Sequence, residues 1–246
     1  MNLVKFNYVA DLLKRNGIST NDSKWSVYKF VVEKVLPLYD KSPYRLGDAN
    51  FMLRKIEVLD SVDRILGPHS YPIIEENILF PLVLMDLYKL ESDDEYIFAH
   101  RYDVSATIAL VAFKKDILEK YEGDSSRFVD IISDIPTSQA SARRGIWHRG
   151  KVVSMLLHDI DILAHISDAT FLFKAWYHDY RLNNEKRGLL ATKTMAYVRL
   201  KYLYGKQGVR DLAIDELKHD PFYAERIQIV KELLQSKEKF FQILEA

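Results

Sequence analysis

Apolar residues in this chain recur at the i, i+3, i+4 spacing of one helical face, and no window pairs two alternating runs across a hairpin turn. This pattern constrains the fold most. Segments of this kind bury their apolar stripe against other helices, so an all-α chain is expected. Glycine numbers 9 and proline 7 in 246 residues, and these breakers divide the pattern. Helices are expected near 3–16, from the polar "STNDSKW" to Pro37, over 47–66, and over 76–90 with a regular part starting at Pro81. Others run from Asp103 or Ser105 to Tyr121, then over 125–133, 138–145, 149–166, 168–182, 187–204, 207–217 and 221–244. With no internal repeat and no low-complexity linker, a single compact multi-helix domain over 1–246 is the simplest reading.

Hydrophobic residues at 48% and aromatics at 12% are enough for a packed core. Lys plus Arg balance Asp plus Glu at 35 each, so any electrostatic preference must be local. The chain has no cysteine, which excludes disulfides, thiolate zinc sites and cysteine nucleophiles and fits a reducing compartment. "MNLVKFNYVADLLKRN" lacks the layout of a signal peptide, and the longest apolar run, "NILFPLVLMDLYKL", is too short to span a bilayer. A soluble cytoplasmic protein with no membrane partner is expected.

"LLHDIDILAH" puts two histidines and two aspartates among apolar residues. Projected at about 100° per residue, Ser154, His158, Asp161 and His165 share one side, opposite Met155, Leu156, Ile160, Leu163 and Ile166. That side has metal-ligand chemistry, yet it is also the side a helix turns to water, so solvent-facing histidines are expected. Asp159 projects into the apolar arc, and Asp86 sits in a segment apolar nearly all round. Each carboxylate needs a hydrogen-bonding partner, a counter-charge or a metal.

Basic residues cluster. Between Lys186 and Arg210 there are seven and no acid, interleaved with Tyr197, Tyr202 and Tyr204, and "ARRGIWHRGK" adds four more. Solvated helix faces explain such runs; a phosphate-facing wall is the sharper alternative.

The order of segments resembles a small all-helical bacterial branch of the HD superfamily of metal-dependent phosphohydrolases. "PYRLGDANFML" stands where that branch has its first histidines, and "VLMDLYK" where it has Phe-His-Asp. "RYDVSATIALVAF" matches the Ser-Ala helix, "IPTSQ" the Thr-x-His, "LHDIDILAHI" the Asp-x-Asp-Leu, and "WYHDYR" the Glu-Tyr through Asp179 and Tyr180. The match is collinear from about residue 40 to 200, with outer helices expected to pack on that core. The chain departs at the imidazoles. No histidine lies near Arg45, Met85 replaces the histidine of the His-Asp pair, Arg101 and Tyr102 replace Asn-Glu, and the third histidine is replaced near Gln139.

The resemblance implies a metal site that has lost most nitrogen ligands. What it leaves is Asp86, Asp159 and Asp161, an all-oxygen set suited to Mg²⁺ or Mn²⁺ or to no metal. The first reading is a degenerate, non-catalytic relative that binds a nucleotide, another small phosphate-bearing ligand or a protein partner. The second is an active divalent-metal phosphohydrolase with Asp179 or His178 as acid–base group. In either, Arg45, Arg101, Arg143, Arg144 and Lys193 are the expected phosphate contacts. A third reading, nucleic-acid binding through 186–210, stays open.

Overall fold

The computed structural model describes residues 30, 34–35, 38, 45–67, 78–87, 101–134, 152–183, 193–201 without 195 and 199, 212, and 214–246. Their regular structure is helical, with no strand among the described residues. Ten helices are delimited: α1 (Arg45–Leu66), α2 (Leu79–Leu84), α3 (Arg101–Ala112), α4 (Lys114–Lys120), α5 (Ser125–Ser133), α6 (Val152–Ser167), α7 (Ala169–Asn183), α8 (Asp215–His219), α9 (Pro221–Gln235) and α10 (Lys237–Glu245). Helical backbone also occurs at 193, 194, 196–198, 200 and 201. The segments expected at 3–16 and 138–145 lie outside the described residues, as do most of those at "STNDSKW"–Pro37 and parts of 187–204.

Local chemistry sets the boundaries. α1 stops where Gly67 takes φ 78°, a conformation glycine adopts without strain. α2 begins two residues before Pro81 rather than at it, since a first-turn residue needs no N–H partner inside the helix. The helix expected from Asp103 or Ser105 to Tyr121 starts at Arg101 and is broken at Phe113 (φ −121°, ψ 28°), whose ring packs at 5.1 Å on Phe30. Glu122 (φ 52°) and Gly123 (φ 87°) turn the chain after α4, with Gly123 N donating to Leu118 O at 2.7 Å. Asp124 then caps α5, accepting from Ser126 N at 3.0 Å and from its hydroxyl at 2.5 Å. Those bonds from Ser126 hold the Asp124 carboxyl below its usual range.

Of the helix expected over 207–217, residues 207–211 and 213 lie outside the described residues, Leu212 and Ile214 are not helical, and α8 begins only at Asp215. The single helix expected over 221–244 is two, split at Ser236 (φ −138°, ψ 111°). Asp220 caps α9 through Phe222 N and Tyr223 N, and Ser236 caps α10 through Lys239 N.

α6 is the centre of the packing, with α1, α9, α7 and α5 around it; α7 lies between α1 and α10, and α2 touches α1, α3 and α5. One aromatic cluster joins Phe30, Phe80, Tyr121 and Phe128, with Phe30 and Phe80 centroids 4.4 Å apart. A second joins Phe173, Tyr197 and Phe240 at 5.7–5.8 Å. Burying each such ring contributes on the order of 1.5–3 kcal/mol. No helix among the described residues is long and apolar enough to cross a membrane.

Candidate functional site

The histidines of "LLHDIDILAH" are inside the protein. His158 is 3% exposed, His165 8% and Ser154 fully buried, which corrects the expected solvent-facing side of α6. A helical projection gives the polar side to water by default. Here neighbouring helices cover both sides, so polar atoms must be satisfied internally. Ser154 Oγ donates to Ile131 O at 2.8 Å. His165 Nδ1 lies 2.6 Å from Asp161 O; a carbonyl only accepts, so Nδ1 carries the hydrogen. His158 Nδ1 lies 3.0 Å from Asp159 Oδ1.

Asp159 is fully buried, as its place in the apolar arc requires. Its Oδ2 accepts from Ile214 N at 2.8 Å, and Ile214 is the residue before α8. The carboxylate thus docks a chain segment 55 residues away onto the central helix.

Asp86 follows the end of α2, where its carboxylate meets Lys55 of α1 at 2.5 Å. Lys55 is fully buried; its ammonium also donates to Leu82 O at 3.2 Å and lies 5.1 Å from the Phe51 ring centre. Phe51 also packs against His165, centroids 4.1 Å apart. Asp161 stands beside His165 with Oδ2 3.9 Å from Nδ1, and its buried Oδ1 has no hydrogen-bond donor among the described residues.

Asp86, Asp159 and Asp161 are therefore all at or near the core, but each answers a different neighbour. No group of three or more His, Asp or Glu side chains placed to hold a metal ion occurs among the described residues. Asp86 fits a divalent cation poorly, because the Lys55 ammonium already supplies its counter-charge at contact distance. Of the proposed acid–base pair on α7, His178 is exposed, and the Asp179 side chain lies outside the described residues. So do the side chains of Arg45 and Arg101, and the whole of Arg143 and Arg144. Lys193 is mostly buried and paired with Glu245 of α10, so its charge is taken up. Tyr197 is also buried, its hydroxyl donating to Leu234 O at 3.1 Å, and offers no open ring for a base to stack on.

Lys55 is the residue that sequence reasoning missed, although its signal was present. At about 100° per residue it falls between Leu59 and Val62, on the arc of α1 that also carries Met52 and Ile56, and all four of those are buried. A lysine in the middle of an apolar arc implies a buried carboxylate elsewhere, just as Asp86 implied a cation. No family model, curated protein or solved structure matches this chain.

Proposed function

We propose that this chain is a catalytically silent helical protein, laid out like the HD-type phosphohydrolases, that binds a phosphate-bearing ligand such as a nucleotide, or a protein partner, without cleaving it. The Lys55–Asp86 pair carries the reading. A carboxylate that would hold a metal in an active relative is here neutralised by an internal ammonium, which repels a second cation. Asp159 supports the same reading through its bond to Ile214 N, a scaffolding use of the carboxylate. A cytoplasmic setting suits a chain without cysteine.

The test is calorimetric titration of chelator-treated protein with Mn²⁺, beside a phosphate-release assay on nucleotides. The expected result is no metal site that depends on Asp86. Metal-dependent phosphate release that disappears in Asp86→Ala overturns the reading. One observation favours the alternative, an active Mg²⁺- or Mn²⁺-dependent phosphohydrolase: the buried Asp161 Oδ1 has no hydrogen-bond donor among the described residues. For that alternative, Asp161→Asn should abolish both Mn²⁺ binding and phosphate release.

A further inference from the structure

Resting on the binding reading above, we propose that the seam between the 193–201 stretch and α10 takes the phosphates of a small polyphosphorylated ligand, held by Lys201 and Lys237. The basic run from Lys186 to Arg210, without a single acid, reaches this seam through Lys193 and Lys201, and α10 supplies Lys237. Lys193 is neutralised by Glu245 and is the wrong lysine for an anion. Lys201 and Lys237 have no carboxylate partner among the described residues.

Each of the two ammoniums rests on a ring: Lys201 at 4.9 Å from the Tyr197 centroid and Lys237 at 5.2 Å from that of Phe241. The two rings meet edge to face at 6.4 Å, so the ring pair lies between the two cations, with Lys193 also 5.5 Å from the Phe241 centre. A ring attracts an ammonium without neutralising it, and the remaining N–H donors stay available for phosphoryl oxygens. Holding the lysine ammoniums on rings also lowers the entropy lost on binding.

One feature sizes the ligand. Tyr197 is committed to the core, so successive bases find no stacking platform. This favours a short phosphate chain over a nucleic-acid strand.

The test uses inorganic tripolyphosphate, a nucleoside triphosphate and a labelled single-stranded oligonucleotide against the whole chain at low ionic strength. Tripolyphosphate and the nucleoside triphosphate should bind, and the double variant Lys201→Glu/Lys237→Glu should weaken both by about tenfold or more. Lys201→Met/Lys237→Met keeps the apolar stems over the rings and should show the same direction, which covers misfolding of the charge reversal. Unchanged affinity in both variants overturns the site, as does failure of tripolyphosphate to bind. Tighter binding of the oligonucleotide, lost in the same variants, overturns the small-ligand assignment in favour of nucleic acid. Metal-dependent cleavage of the bound triphosphate overturns the non-catalytic reading and leaves the site standing.

Discussion

α6 and the α9–α10 pair are both built from mixed polar and apolar sequence, yet they handle polarity in opposite ways. α6 is buried on nearly every side and keeps Ser154, His158, Asp159 and His165 inside, each bonded to a neighbour. α9 and α10 bury a stripe, through Tyr223, Val230, Leu233, Phe240 and Leu244, and leave their charges wet. Their order depends on caps at Asp220 and Ser236. Stability at the centre therefore depends on pairing buried charges, where losing one partner strands the other. At the periphery it comes in smaller increments that water can replace.

The largest expected effect tests the centre. Lys55→Ala should destabilise the chain by about 3–5 kcal/mol, because it takes the buried ammonium away from the Asp86 carboxylate, and Lys55→Met/Asp86→Leu should recover most of that loss. Denaturant unfolding of both variants measures the difference, and equal destabilisation breaks the contrast. Asp159→Ala should cost about 2 kcal/mol by leaving the Ile214 N–H unsatisfied. Hydrogen exchange at the Ile214 amide should accelerate with it. At the periphery, Asp220→Ala and Ser236→Ala should each cost about 1 kcal/mol, read from thermal midpoints.

The last effect appears only in alkali and is absent at neutral pH. Burial pushes the Tyr223 phenol up to about 12 and raises Tyr121 further. A phenol raised in the folded state gives stability that is complete below the ordinary tyrosine value, near pH 10, and is lost as pH climbs through the folded value. Phenolate absorbance should show these two groups titrating late, and stability should fall above about pH 10.

Sequence made the helical class legible because the apolar period is strong. It placed α5 at 125–133 because an Asx cap and a preceding glycine flank it. It joined α9 to α10 because the apolar period continues through Ser236 and nothing but a small polar residue marks the break. It showed that Asp86 and Asp159 needed partners, but the partners lie 31 and 55 residues away, and periodicity holds no information about contacts at that range. The sidedness of α6 was misread for a related reason. A polar arc looks the same whether water or another helix lies over it.

The full burial of Lys55 has a chemical consequence as well. An amine held against a carboxylate and sealed from solvent is beyond the reach of acylating reagents while the fold is closed. Exposed lysines such as Lys114, Lys201 and Lys239 should acquire acyl groups at once. Lys55 should acquire one only at the rate at which the core opens, which makes a single peptide mass a clock for the breathing of the whole protein.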